Sequence, residues 1–210
     1  MYQLIRIRNL IPILVIALGT ILLSIFYQRI VEFPFRFEFR NYLVGNKLVE
    51  GLVLYKDIIA SLSPASALVF QFISFLGLGY NFNYLLGKLI LILQGLILNR
   101  GVNRLNIFPQ AGNSIFFIFL IFAAINPAFQ LPSAQLFGLT FLILAWTEIA
   151  QRLNKNTISN RIFLIGVYLG LACSFYFTYG LFILGILSAL IAHSNISLRE
   201  ITLVLIGFLI

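Results

Sequence analysis

Residues 113–147 read NSIFFIFLIFAAINPAFQLPSAQLFGLTFLILAWT and contain no charged side chain. Asn126-Pro127 and Pro132 divide this stretch, and both are typical of breaks between helices. The apolar runs on either side, 113–128 and 133–150, approach the roughly 20 residues that a helix needs to cross a membrane. The stretch therefore predicts two helices joined by a short turn within a lipid bilayer.

The composition of the whole chain favours the same interpretation. Of 210 residues, 61% are hydrophobic and 10% are charged, whereas a soluble domain has about 25% charged residues. One Cys (Cys173) and one His (His193) exclude a disulfide framework and a histidine-rich metal site. Neither the P-loop motif nor the GxGxxG motif occurs, so we expect no nucleotide as a ligand. We expect membrane lipids as partners and no nucleic acid.

Further apolar runs extend this pair of helices to a polytopic bundle. The first run, Leu10 to Tyr27, is too long for the apolar region of a cleavable signal peptide. The sequence predicts about eight spans, at 10–27, 64–80, 84–98, 113–128, 133–150, 161–176, 177–193 and 198–210. We expect an all-α transmembrane bundle, a single domain over residues 1–210, in a multi-pass protein of the bacterial inner membrane. The chain stops at Ile210 inside an apolar run, which indicates truncation at the C-terminus.

The cations are distributed unevenly if the eight spans alternate. One face then receives residues 28–63, 99–112, 151–160 and 194–197 with their helix ends, and eleven of the fourteen Lys and Arg residues. The positive-inside rule places that face in the cytoplasm and the N-terminus outside. Applied to Arg6 and Arg8 ahead of the first span, the same rule places the N-terminus inside. The sequence leaves the orientation open, and a basic face outside the cytoplasm would suit an anionic lipid-linked group.

A polar segment, residues 28–63, separates the first and second spans. It holds four of the six acidic residues, namely Glu32, Glu38, Glu50 and Asp57. Within it, residues 37–50 have the pattern of an amphipathic helix lying along the membrane surface. Such a helix would hold carboxylates at the depth of lipid headgroups. The alternative is a solvated interfacial helix whose carboxylates pair with adjacent cations.

The same segment carries a pattern that resembles a known superfamily. It contains Glu38-Phe-Arg40-Asn-Tyr42, Glu50-Gly51, Tyr55-Lys-Asp57 and Ser63-Pro64. Over residues 30–100 the chain resembles the N-terminal part of the GT-C superfamily, polytopic glycosyltransferases that use polyprenyl-phosphate sugars. Over residues 35–205 it is similar to an uncharacterised family of membrane proteins from Bacteroidota, in the runs Leu43-Val-Gly-Asn-Lys-Leu48, Gln94-Gly-Leu-Ile-Leu-Asn99-Arg100 and Gly170-Leu-Ala-Cys-Ser-Phe-Tyr-Phe177.

The resemblance implies a glycosyltransferase-like protein of the cell envelope that binds or uses polyprenyl-phosphate-linked sugars. Glu38 or Asp57 would be the catalytic general base or would hold a divalent cation, and no residues are identified as a resident metal site. The substrate would be bound by Arg40, Tyr55, Arg100 and Arg104, the last two holding the phosphate of the leaving donor. Position 37 is Phe where the superfamily often has the catalytic Asp, which leaves Glu38 as the acid there.

Two other classes of function stay open. One is a non-catalytic scaffold subunit of an envelope assembly, and Arg100 and Arg104 would then be a basic helix end that reaches the headgroups. The other is a transporter or flippase, which we rank last because only Lys88 resembles a midplane ionisable residue and no internal repeat is evident. An enzyme should gather Glu38, Asp57, Arg100 and Arg104 around one cavity, whereas a scaffold should leave them dispersed.

Overall fold

The computed structural model describes residues 18–22, 36–77, 80–105, 112–126, 129, 131–155, 160–193 and 197–210. The prediction of an all-α fold is confirmed, since no β-strand occurs among these residues. The elements are α1 Arg36–Val49, α2 Pro64–Phe75, α3 Tyr80–Arg104, α4 Ser114–Ile125, α5 Ala134–Lys155, α6 Asn160–Phe175, the 3-10 helix Phe177–Leu181, α7 Phe182–His193 and α8 Leu198–Leu209. The first predicted span, Leu10 to Tyr27, lies outside the described residues except for 18–22, which are helical.

Two helices are long and apolar enough to cross a membrane, Phe82–Arg104 within α3 and Ala134–Arg152 within α5. By length and composition they weakly suggest a membrane protein. The other predicted spans in the described part of the chain coincide with shorter helices. α2 and α4, for example, have 12 residues each. A helix of that length is roughly 18 Å long, against roughly 30 Å for the hydrocarbon core of a bilayer.

α3 and α5 lie side by side and run parallel. The Gln94 side chain of α3 is fully buried, and its Nε2 donates to the Leu136 carbonyl at 2.7 Å and to Thr140 Oγ1 at 2.8 Å. Two turns later, an ideal Cβ at Gly101 would lie 2.5 Å from Thr147 Cγ2. Residues 94 and 101 of α3 thus match residues 136–140 and 147 of α5.

α4 packs antiparallel on another side of α3. An ideal Cβ at Gly95 would lie 2.8 Å from the Phe116 ring. Asn103 closes the pair at the other end, since its Nδ2 donates to the Gly112 carbonyl at 2.9 Å and its Oδ1 accepts from the Gly112 N–H at 3.3 Å. α4 therefore begins beside the end of α3.

α6 and α8 pack closely through glycines. An ideal Cβ at Gly170 would lie 2.6 Å from the Phe208 carbonyl oxygen, and one at Gly207 would lie 2.5 Å from the Phe163 carbonyl oxygen. Gly166, four residues before Gly170, lies against the Val204 carbonyl. Small residues at this spacing let helix backbones approach in a membrane. Because 166 matches 204 and 170 matches 208, the two helices run parallel.

α1 and α2 form a pair that is attached to the end of α6. Gly45 of α1 has no room for a side chain, since an ideal Cβ would lie 2.5 Å from the Phe70 carbonyl oxygen of α2. Ser63 caps α2, and its Oγ accepts the Ser66 N–H at 3.4 Å. The Ser63 and Ser66 hydroxyls also donate to the Phe175 carbonyl, at 2.7 and 2.9 Å. These bonds fix the start of α2 beside the C-terminal end of α6.

The bundle has two ends, which we name by their residues. The upper end contains the start of α5 and the ends of α6 and α8, with residues 60–66, 131–137, 173–178 and 208–210. The basic end contains the ends of α3 and α5 and the starts of α6 and α8, with residues 100–105, 147–152, 160–162 and 197–200.

The described part of the polar segment, residues 36–63, lies elsewhere than alternating spans predict. Alternation puts residues 28–63 on the same face as 99–112 and 151–160. In the structure Arg40 and Ser63 lie at the upper end, whereas Arg100 and Arg104 lie at the basic end. The register of α3 on α5 also puts Tyr80, the first residue of α3, at the upper end. α2 and the helix that follows it both start at the upper end, so the chain returns to that end after α2 instead of crossing the bundle.

Candidate functional site

A cleft of about 1190 Å³ opens at the upper end of the bundle. Ligand pockets are typically roughly 300–1,000 Å³, so the cleft has room for a large ligand. Its polar lining residues are Arg40, Asn41, Tyr55, Ser61, Ser63, Ser133, Gln135, Cys173, Ser174, Tyr176 and Thr178. Its other lining residues are Ala60, Leu62, Pro64, Ala134, Val167, Gly170, Leu171, Phe175, Phe177, Phe208, Leu209 and Ile210. The cleft thus combines hydroxyl-rich and apolar surface.

Arg40 is the one charged side chain among the described residues that line the cleft. It lies in the second turn of α1, is exposed, and donates from Nη2 to Ser61 Oγ at 2.9 Å. This bond joins α1 to the extended segment that leads into α2, and it holds the guanidinium at the cleft. A guanidinium has five N–H donors, and this bond uses one of them. The arrangement suits an anionic group of a ligand.

Tyr55 lines the same cleft from a strained backbone position. Its φ is 66°, in the left-handed region, which costs a residue other than glycine roughly 1–2 kcal/mol. The Tyr55 hydroxyl donates to the Leu62 carbonyl, and a bridge between Leu54 and Ile58 closes the turn around it. Strained positions persist where the surrounding contacts over-determine them, and they concentrate at ligand sites.

The two predicted catalytic acids are placed differently. Asp57 is exposed, and its Oδ2 accepts the Val53 N–H at 2.8 Å, a contact within the turn that holds Tyr55. Asp57 is not among the lining residues of the cleft. The backbone of Glu38 lies in the first turn of α1, two residues before Arg40, and its side chain lies outside the described part of the structure. The catalytic roles of both residues stay predictions.

No sequence pattern indicated that several other polar residues would line the cleft. Ser133 Oγ accepts the Leu136 N–H at 3.1 Å, which caps α5, and Gln135 accepts at its carbonyl from the Tyr179 hydroxyl at 3.2 Å. Ser61 holds Arg40. Serine before an apolar run is the ordinary signal of a helix start, so the sequence offered no reason to assign these residues to a ligand site.

Arg100 and Arg104 do not lie with Arg40 and Tyr55. Gly101 contacts Thr147, whereas Ala134 lines the cleft, and the 13 residues between them span roughly 20 Å of helix. The structure therefore brings together two of the four predicted substrate-binding residues and leaves the other two at the basic end. Their roles as ligands of one phosphate remain untested predictions.

The basic end contains two ion pairs between helices. Arg152 Nη2 lies 3.0 Å from Glu200 Oε1, and Arg161 Nη1 lies 3.0 Å from Glu148 Oε2. Glu200 belongs to a capping box in the first turn of α8, outside both candidate spans. The Ser197 backbone N–H that donates to its carboxylate, together with Arg152, lowers the pKa of Glu200 below its usual value despite partial burial. The carboxylate is therefore ionised at neutral pH and tethers α8 to α5.

No group of three or more His, Cys, Asp or Glu side chains that could hold a metal ion occurs among the described residues. A divalent cation bound with help from Glu38 stays a prediction.

No protein-family model, curated protein or solved structure matches the chain.

Proposed function

We propose that the protein is a multi-pass membrane protein of the cell envelope, glycosyltransferase-like, whose upper cleft binds a polyprenyl-phosphate-linked sugar. The observation that carries the proposal is a cleft with one cation, Arg40, among hydroxyl-rich and apolar surface. Phosphate pairs with a guanidinium through charge-assisted hydrogen bonds. The sugar has hydroxyl partners in residues such as Ser61 and Ser133. The apolar side chains at the ends of α6 and α8 suit the first isoprene units.

The charge distribution supports a membrane orientation. We propose seven crossings, made by the predicted span Leu10–Tyr27, α3, α4, α5, α6, the 3-10 helix with α7, and the apolar part of α8 that follows Glu200, while α1 and α2 stay at the upper face. The helices that are shorter than the hydrocarbon core cross it where the bilayer thins locally. The basic end then has eight Lys and Arg residues, namely Arg6, Arg8, Arg100, Arg104, Arg152, Lys155, Arg161 and Arg199. The upper face has five, namely Arg29, Arg36, Arg40, Lys47 and Lys56. With seven crossings, both applications of the positive-inside rule place the basic end in the cytoplasm.

The cleft would then open away from the cytoplasm, where lipid-linked sugars are transferred. In the catalytic form of the proposal, an acceptor hydroxyl attacks the anomeric carbon of the sugar and its proton passes to Glu38. The bond from that carbon to the phosphate oxygen breaks, and the electron pair leaves with the lipid phosphate, whose charge Arg40 stabilises. Asp57 would serve the turn that positions Tyr55, because its carboxylate already accepts the Val53 N–H.

A non-catalytic scaffold is the second candidate. The observation that favours it is the separation of Arg100 and Arg104 from the cleft, since a scaffold is expected to leave these cations dispersed. Binding of the lipid phosphate without transfer of the sugar would fit this form. The two forms differ in the role of Glu38. In the enzyme Glu38 is needed for transfer of the sugar, whereas in the scaffold it contributes only to local structure.

Native mass spectrometry of the protein in nanodiscs with a short-chain polyprenyl phosphate tests the proposal. Hydrogen bonds to a charged group contribute about 1.5–3 kcal/mol, so Arg40→Gln should raise Kd by roughly tenfold to a hundredfold. Arg199→Gln removes the same charge at the basic end and should leave Kd unchanged. An unchanged Kd in Arg40→Gln, or equal losses in both variants, would contradict the proposal. Glu38→Gln should keep binding, and loss of sugar transfer in that variant would favour the enzyme.

A further inference from the structure

The basic end carries a second pair of cations that the proposed function does not use. Arg100 and Arg104 are exposed in the last turns of α3. They are four residues apart, so with 3.6 residues per turn their directions differ by only about 40° around the helix axis. Within the described residues, neither takes part in an ion pair. The two guanidiniums therefore share one helix face that is open to the surroundings.

An exposed aromatic side chain flanks this pair. Trp146 of α5 is 40% exposed, and an ideal Cβ at Gly101 would lie 3.8 Å from its Cζ3 atom. Gly101 lies about 60° around the helix from Arg104 and about 100° from Arg100. The indole therefore flanks the arginine face on the side of Arg104. Trp is enriched at membrane–water interfaces, where its ring sits at the level of the headgroups.

The neighbouring cations at this end are neutralised. Arg152 pairs with Glu200 and Arg161 pairs with Glu148, so these four side chains contribute little net charge. The remaining positive charge of the described basic end falls on Arg100, Arg104, Lys155 and Arg199. Two of these four share one helix face beside the exposed Trp, which concentrates the attraction for an anion at one place.

We propose that Arg100, Arg104 and Trp146 form a binding site for an anionic phospholipid of the adjacent leaflet. The two guanidiniums bind the phosphodiester of the headgroup, and the indole packs against the glycerol and upper acyl region. The site goes beyond the proposed function of the cleft and is separate from it, because it lies roughly 20 Å further along α5. Inorganic phosphate has the same charged group but no acyl chains for the indole to contact.

The chain has a single Trp, so quenching of its fluorescence reports lipids at this site directly. The protein is reconstituted in phosphatidylcholine vesicles with a fixed minor fraction of phosphatidylglycerol that carries brominated acyl chains. A matched preparation has the bromine on an equal fraction of phosphatidylcholine. Each arginine near an anionic surface raises lipid association about fivefold, so the pair should enrich phosphatidylglycerol at Trp146 by up to about twenty-five-fold. Brominated phosphatidylglycerol should therefore quench far more than brominated phosphatidylcholine.

The double variant Arg100→Gln/Arg104→Gln should reduce the excess quenching to the level expected from the bulk fraction. Arg199→Gln, which removes one charge at the same end on α8, should keep the excess. Millimolar inorganic phosphate should not displace the lipid. Equal quenching by the two brominated lipids in the wild-type protein would overturn the proposal without any variant. Equal losses of the excess quenching in Arg199→Gln and in the double variant would overturn it too, because they would indicate attraction by general surface charge. Displacement of the lipid by phosphate would overturn the role of Trp146, because phosphate has no acyl chains for the indole to contact.

Discussion

The close packing of α6 on α8 leads to a stability prediction with an internal control. An ideal Cβ at Gly170 would lie 2.6 Å from the Phe208 carbonyl oxygen, whereas ordinary contacts begin at 3.4 Å. In Gly170→Ala the two helices must therefore separate by about 0.8 Å, the difference between these two distances. Overpacking of this kind typically costs about 1–3 kcal/mol. Gly185 of α7 has no atom within 4 Å of an ideal Cβ, so Gly185→Ala makes the same chemical change without a clash.

Both variants gain helix propensity, up to about 1 kcal/mol, because Ala loses less backbone entropy than Gly. The difference between their free energies of unfolding therefore isolates the clash, and we expect Gly170→Ala to be the less stable by about 1–3 kcal/mol. The assay is unfolding of the detergent-solubilised protein by sodium dodecyl sulfate, followed by far-ultraviolet circular dichroism. If Gly170→Ala is as stable as Gly185→Ala, the backbones of α6 and α8 are not in contact at this position and the parallel packing described here is refuted.

Two further predictions concern side chains at opposite ends of the bundle. Because the folded-state pKa of Glu200 is lowered, its stabilising effect is complete above the ordinary pKa of 4.5 and is lost as the pH falls through the lowered value. Acid unfolding monitored by circular dichroism should therefore show a smaller loss of stability below that pH in Glu200→Gln, and an unchanged pH profile would refute the tether to α8. Asp57→Asn keeps a side-chain oxygen that can accept the Val53 N–H, whereas Asp57→Ala does not. Binding of polyprenyl phosphate should be kept in the first variant and weakened in the second, and loss of sugar transfer in Asp57→Asn with intact binding would instead identify Asp57 as the base.

The positions of the helices could be predicted from the sequence, because apolar runs and the Pro, Asn and Ser residues that separate them are local signals. The run predicted at 133–150 is α5, Ala134–Lys155, and the amphipathic segment predicted at 37–50 is α1, Arg36–Val49. Ser63-Pro64 precedes the span that the sequence predicts at 64–80, and in the structure Ser63 caps α2, which begins at Pro64. Whether a helix crosses the membrane is not local information. α2 has an apolar composition like that of its neighbours. Its attachment to the end of α6, and the return of the chain to that end before α3, emerge only in the fold.

Partners of charged residues were harder to predict for the same reason. The sequence places Glu148 four residues before Arg152, which indicates an ion pair along one helix. The ion pairs of the structure instead join different helices, Glu148 with Arg161 and Arg152 with Glu200. Lys88, expected to be costly in lipid, is buried with its Nζ 4.9 Å from the centre of the Tyr84 ring. Contacts between helices decide these pairings, and a single sequence contains no direct signal for them.

The candidate site was predictable only where its residues lie within one segment. Arg40 and Tyr55 belong to the segment that resembles the GT-C superfamily, and both line the cleft. The opposite side of the cleft comes from residues about 80 to 140 positions later, including Ser133 and Tyr176, which have no distinctive pattern around them. The spacing of Arg100 and Arg104 indicates that they share one face of a helix. It does not indicate at which end of the bundle that part of the helix lies.

Photolabelling tests most directly whether the upper cleft binds a lipid phosphate. The protein in nanodiscs is irradiated with a polyprenyl phosphate that carries a diazirine on the first isoprene unit, and the labelled residues are mapped by mass spectrometry. We expect labels within residues 60–64, 133–135 and 171–178. These labels should be competed by unlabelled polyprenyl phosphate and reduced in Arg40→Gln. Competed labels confined to the surroundings of Arg100 and Arg104 would contradict it, because they would place the lipid phosphate at the basic end of the bundle.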